Sequence, residues 1–214
     1  MRYLAISALT VLAMVVAASF AFRINSMSEN EKYLKEAQEK INAFKSEMEP
    51  ERLKESARAL ENLNLAIEYD SEVRHDLRRR GLRLWLTLVQ ILDEHIDPEF
   101  DSKDVPKMSV QPPQTSDGTL LPPGADPADI DDPKARAEYE KAIAENRKKQ
   151  DNYRLQIKLG RINKTLPGRA EAFIKNCYSD SEEDQNELKA AIEELIEKQE
   201  RKDRLMSLLN QPQT

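Results

Sequence analysis

Residues Val73 to Ile96 read VRHDLRRRGLRLWLTLVQILDEHI and hold the only Trp, both His and the most apolar run outside the N-terminal segment. Leu82, Leu84, Leu86 and Leu88 alternate as in a half-buried strand, so the apolar residues alone leave the element undecided. The polar residues decide it. Asp76, Arg80, Arg83, Thr87, Gln90 and Glu94 follow at spacings of 4, 3, 4, 3 and 4, one stripe along an α-helix and no pattern at period two. The opposing arc is formed by Val73, Leu77, Leu84, Trp85, Leu88 and Leu92, with Leu82, Leu86 and Val89 toward its edge. It covers more than half the circumference, so the stretch is predicted to be a core helix covered on two or more sides. Gly81 lies in that arc, where a missing side chain lets a neighbouring helix come close at a propensity cost of about 1 kcal/mol relative to Ala.

Two helices precede it. Ser28 and Glu31 form a capping box, and Leu34, Ala37, Ile41, Phe44 and Met48 then make a narrow seam. Pro50 suits the first turn of the next helix, which Leu53, Ala57, Leu60 and Ile67 orient, and Asp70 or Ser71 is placed to cap the central one. Residues 28–96 are therefore predicted to form a three-helix segment, with the first two seams covering the wide arc of the third.

Residues 97–132 break the pattern. They carry seven of the eleven Pro and nine acidic residues against two Lys, a net charge of -7 out of -6 for the whole chain, so the remainder sums to +1. This stretch is predicted to be a Pro-rich acidic linker, either disordered or laid over the surface. Asp132-Pro133 then reads as an N-cap with a first-turn proline, opening a long helix that runs toward Lys164 and is ended by Pro167-Gly168. Tyr139, Ile143 and Tyr153 mark one face of it, and Leu155, Leu159, Ile162 and Leu166 a second, with Gly160 as the place for a bend. A short helix over 169–178 and a new start at Ser179 to Ser181 follow. The last helix is apolar at both ends but charged or Gln from Glu197 to Arg204, where it is expected to break or change partners. The fold class is all-α: two small helical bundles or one composite bundle, joined by the linker, with 133–209 as the C-terminal helical segment.

Tyr3 to Phe22 is an uncharged run of twenty residues between Arg2 and Arg23. Its length suits a ~30 Å hydrocarbon core, and its Ala-rich end offers small-residue cleavage sites, so residues 1–22 read as either a single membrane anchor or a signal peptide. Both readings export the body, leaving it membrane-anchored outside the cytoplasm, or periplasmic or secreted after cleavage. The lone Cys177 cannot close an internal disulfide and sits at a helical core position with Ala170, Phe173 and Ile174. Asn163-Lys164-Thr165 matches a glycosylation acceptor, which matters only in a eukaryotic host.

The templates for chemistry fail one after another. No HExxH, CxxC, GxSxG, GxGxxG or GxxxxGK[ST] occurs, and the acids from Asp97 to Asp101 open a calcium loop that lacks Gly at position six and Glu at position twelve. No catalytic residue, metal ligand or cofactor follows from the sequence. The sharpest positive feature is a basic patch, Arg74, Arg78, Arg79, Arg80 and Arg83, suited to an acidic partner or an anionic surface, or to the acidic linker folding back upon it. The net charge of -6 argues against nucleic acid. The expectation is a non-enzymatic exported helical protein that binds another protein. Its rival is a helical enzyme using His75 or His95 with nearby acids such as Asp76, Asp93 and Glu94; a weaker alternative is anionic membrane or nucleic-acid surface binding through Arg78 to Arg80.

Overall fold

The computed structural model describes residues 29–69, 75–114, 120–178 and 182–208, with only the backbone at 67–69. The Tyr3 to Phe22 segment, the Ser28, Asp70 and Ser71 caps, Arg74, the Ser179 to Ser181 start, Leu209 and the Ile67 side chain lie outside what is described. The protein is all-α: among the described residues there is no strand, and helices α1 (29–47), α2 (Pro50–Tyr69), α3 (His75–His95), α4 (Pro133–Asn163), α5 (Leu166–Tyr178), α6 (Glu182–Leu195) and α7 (Gln199–Ser207) account for most of the chain. Among the described residues no helix is long and apolar enough to cross a membrane. The chain divides into two compact units, one made of residues up to Glu94 together with those from Ile162 on, the other of His95–Arg161.

In the first unit α3 is the buried centre. Leu77, Leu82, Trp85, Leu86, Leu88, Val89, Ile91 and Leu92 are all essentially inaccessible, while the polar stripe of Asp76, Arg80, Arg83, Thr87, Gln90 and Glu94 is the part that stays open or half-open. The α1 seam of Leu34, Ala37, Ile41 and Phe44 is buried too. So are Leu53, Ala57, Leu60 and Leu63 of α2. The α1–α2 turn needs a left-handed residue, and Met48 takes it at φ 55°, its N–H donating to the Phe44 carbonyl at 2.7 Å before Pro50 starts α2. That αL position closes a helix end as glycine usually does, with the strain of a side chain added. Inside the hairpin the buried Ser56 hydroxyl donates to the Ala37 carbonyl at 3.0 Å, so this buried polar group is satisfied.

The cover of α3 does not come from α1 and α2 alone. A Cβ placed on Gly81 would lie 2.9 Å from Leu63 Cδ2 of α2 and 3.1 Å from Phe173 Cζ of α5. Trp85 meets the same Phe173 with ring centroids 6.4 Å apart. The missing side chain thus admits two neighbours, and the second comes from the C-terminal third of the sequence. Leu166, Ala170, Phe173, Ile174, Cys177 and Tyr178 form the buried face of α5, and Leu188, Ala191 and Ile192 that of α6. Pro167, expected to end the long helix, instead lies in the first turn of α5, after a turn at Lys164 and Thr165. Proline's missing N–H is harmless there because first-turn donors have no intrahelical acceptor. The charged run after Ile196 does break the last helix, with Lys198 extended between α6 and α7.

The second unit is built differently. Asp132 caps α4, its Oδ1 accepting from the Lys134 N–H at 3.0 Å with Pro133 at the first helical position. From Asp97 to Val110 the Pro-rich stretch lies along α4 as an extended ribbon and runs antiparallel to it. Gln156 grips its start, donating to the His95 carbonyl at 2.8 Å and accepting from the Asp97 N–H at 3.0 Å. The Tyr153 hydroxyl donates to the Ser102 carbonyl at 2.7 Å, and its ring meets Phe100 at 5.5 Å. Further along, Gln150 donates to the carbonyls of Lys107 and Met108 at 2.7 and 3.2 Å, and Asn146 to that of Lys107 at 3.0 Å. The buried Tyr139 hydroxyl is 3.3 Å from the Val110 carbonyl and 3.4 Å from that of Ala125. Gly124, at φ +83°, allows the return, its N–H reaching the Val110 carbonyl at 3.3 Å. Several of the acids that made the stretch look like a solvated linker are turn formers: Asp97, Asp101 and Asp126 each accept from the backbone N–H two residues on, at 2.9 Å.

Candidate functional site

The polar stripe of α3 carries the predicted basic patch, and helix geometry sends its arginines to different neighbours. Arg78, half-buried, donates to the Cys177 carbonyl at 3.4 Å. Arg79 Nε lies 2.8 Å from Glu187 Oε1 of α6. Arg80 Nη1 donates to both carboxylate oxygens of Glu31 on α1 at 3.0 Å. Arg83 makes a two-pronged pair with Glu194 of α6, 3.0 and 2.9 Å. The hydrogen bond to Glu194 holds the Arg83 guanidinium above its ordinary pKa, and the same bond holds the Glu194 carboxyl below the usual carboxylate range. The charge that suggested a clasp by the acidic stretch is thus answered, at 79, 80 and 83, by carboxylates of α1 and α6. Both Arg83 and Glu194 are substantially exposed, so this pair adds little stability.

His75, the first residue of α3, is brought against α6 rather than against Asp76. Its Nε2 lies 2.8 Å from Asp184 Oδ1 and 3.7 Å from Glu187 Oε2. Asp184 and Glu187 stand one turn apart on α6 and are mostly sheltered, while the imidazole is half-exposed. Beside them Tyr178 is 1% exposed, and its hydroxyl has no hydrogen-bond partner among the described residues. Burial pushes that phenol well above its ordinary pKa, and the charges of Glu187 and Asp184 push in the same direction. Asp93 is taken up by Arg201, Nη2 to Oδ1 3.2 Å, and by Lys198 at 3.8 Å; Glu94 accepts from Gln90 at 2.8 Å. Asn163 of the acceptor tripeptide accepts from Arg201 at 3.4 Å. The His95 carbonyl accepts from Gln156 in the second unit at 2.8 Å. Cys177 is buried at 5% exposure, as its spacing on the helix predicts.

A groove of about 750 Å³ opens between α1 and α3. Leu34 and Leu84 form its apolar floor, and Glu31, Lys35, Arg80 and Arg83 stand on its walls. No local pattern of residues announces it, because it depends on which faces of two helices end up side by side.

No family model matches the chain, and no curated protein or solved structure matches it either.

Proposed function

We propose that this chain is a non-enzymatic, exported helical protein that works by binding another protein, with the α1/α3 groove as the seat of that partner. The observation that carries the reading is the groove itself: an apolar floor between two helices, walled by charges of both signs, is the form that takes an amphipathic helix of a partner. Leu34 and Leu84 at the floor are already 1% and 9% exposed, so the aliphatic stems of Lys32, Lys35 and the rim arginines supply most of the area to bury, while their charges and that of Glu31 set which charges a partner must present. In this reading Tyr3 to Phe22 is a membrane anchor or a removable signal, and the helical body stands outside the cytoplasm.

A photo-crosslinking residue at Gln38, on the groove, tests the reading against the same residue at Glu145, on α4. A discrete crosslinked species from position 38 alone, lost when Lys35 and Arg83 are changed to Glu, is the expected result. Equal crosslinking from both positions, or none from position 38, removes the proposal. Carbonate extraction with N-terminal sequencing separates anchor from cleaved signal, and a chain retained whole in the cytosol defeats export. The second reading, a helical enzyme using His75, is favoured by the two carboxylates that face the imidazole. Full loss of a deletion-complementing activity in a folded H75A/H95A variant would put it first.

A further inference from the structure

We infer that His75, Asp184 and Glu187 form a binding site for a first-row divalent cation such as zinc, bridging the start of α3 to the start of α6. The three donor atoms lie within 4.8 Å of one another. They come from two helices, with the carboxylates at i and i+3 on α6 and the imidazole across from them, so the backbone sets their convergence rather than a flexible loop. A single imidazole N–H serves one acceptor well, and Asp184 at 2.8 Å is that acceptor. Glu187 Oε2, at 3.7 Å from the same nitrogen, gains no hydrogen bond from it. A cation uses both oxygens.

The spacing suits one. Zinc with nitrogen and oxygen ligands at about 2.0–2.2 Å in tetrahedral array sets neighbouring donor atoms roughly 3.3 Å apart. The 2.8 Å separation would open and the 3.7 Å separation close by comparable amounts, within the reach of side-chain rotation. Arg79 Nε lies 2.8 Å from the other oxygen, Oε1, close enough to pair with its charge but without a hydrogen bond to it. One imidazole and two carboxylates are a donor set for zinc or manganese, and they are too few oxygens for calcium. Half of the imidazole is open to solvent, which leaves room for water at the remaining position. The second observation is Tyr178: 1% exposed, its hydroxyl without a hydrogen-bond partner among the described residues, and with the charges of Glu187 and Asp184 acting on it. Its hydroxyl is the kind of buried donor that a cation-bound water would satisfy.

The full chain, purified in detergent and stripped with chelator, is titrated with zinc chloride while the imidazole resonances are followed. With only two histidines in the chain, H75A and H95A assign both rings. Saturation at one equivalent is expected, with the His75 ring shifting and the His95 ring unmoved. D184N and E187Q should each weaken binding about 10-fold or more, and H95A should leave it unchanged. Absence of saturation, a response confined to His95, or wild-type affinity in both carboxylate variants overturns the site. The ring shifts are read on the unaltered protein, so a variant that fails to fold does not rescue the idea. The outcome is also independent of the groove, which can be occupied or empty whichever way the zinc titration falls.

Discussion

On α3 a leucine such as Leu88 is wholly removed from water; along α4 a carbonyl such as that of Lys107 is gripped by the tips of Gln150 and Asn146. The first arrangement removes area from water, and the second exchanges backbone–water hydrogen bonds for backbone–side-chain ones. Burying a leucine side chain is worth about 1.5–3 kcal/mol, and a typical hydrogen bond a net 0.5–1.5 kcal/mol. Two of the ribbon's apolar residues follow the contrast, Val105 and Met108 pointing away at 63% and 86% exposure, while Ile130 near its end is buried. One unit can therefore be specified by hydrophobic pattern, while the other depends on a few polar side chains reaching main-chain atoms of any sequence.

Removing one core side chain should show the largest effect. Leu88→Ala is expected to cost about 2–5 kcal/mol in urea unfolding, because the deleted atoms lose their burial and leave a cavity among helices that cannot close up. Met108→Ala, the same kind of truncation on the ribbon, should change the midpoint by less than about 0.5 kcal/mol. Equal costs for the two would break the contrast at once.

What the sequence made legible follows the same division. The α3 helix could be read because its polar residues keep helical spacing, and the α4 start because Asp132-Pro133 is a local signal whose bond, Lys134 N–H to Asp132 Oδ1, needs nothing from elsewhere. The cover of Gly81 by Phe173 could not, since nothing in residues 73–96 says which distant helix will arrive. The acids opposite His75 were illegible for the same reason: chain proximity points to neighbours such as Asp76, while Asp184 is 109 residues away. Pro167 misled because one proline is both a stop for the helix behind it and a good first-turn residue for the helix ahead. The ribbon's attachment leaves no apolar period at all. Its one signal was on the other partner, where Tyr139, Asn146, Gln150 and Tyr153 share a face of α4 at spacings of 7, 4 and 3.

The polar lacing itself is the next target. Q150A combined with Y153F removes three hydrogen bonds to the ribbon and should cost about 1.5–4 kcal/mol of its docking. Limited proteolysis should then cut between Ser102 and Val110 faster than in the wild type, while the protection of α3 amides against hydrogen exchange stays as it was. Unchanged cleavage would mean that Phe100 stacking on Tyr153, and not the lacing, holds the ribbon.

Tyr178 asks whether the apolar unit tolerates a polar group as well as the ribbon does. Its phenol is held above the ordinary 10.0 by burial first and by Glu187 next, so it stays protonated in the folded state after the unfolded chain has begun to ionise. The folded state then binds more protons than the unfolded one, and stability is intact below pH 10 and lost as pH rises above it. One such group costs about 1 kcal/mol between pH 10 and 11. Y178F should abolish that increment, seen as a flatter alkaline limb in the unfolding midpoint, and a limb of unchanged slope would show that the phenol ionises freely.

The smallest effect belongs to the pair that looks strongest on paper. Arg83 and Glu194 meet at 2.9 and 3.0 Å through two hydrogen bonds, yet both side chains are about half-exposed. Their attraction is screened by water and salt, and two long side chains must be ordered to make it. Because the bond to Arg83 lowers the Glu194 pKa below 4.5, whatever stability the pair adds is present above that pH and disappears as pH falls through the lowered value. A double-mutant cycle of R83A and E194A should therefore give a small coupling at neutral pH and none in strong acid, with high salt reducing the neutral value. A coupling as large as the loss from Leu88→Ala would mean that charge on the α3 stripe, and not the apolar arc behind it, organises this unit.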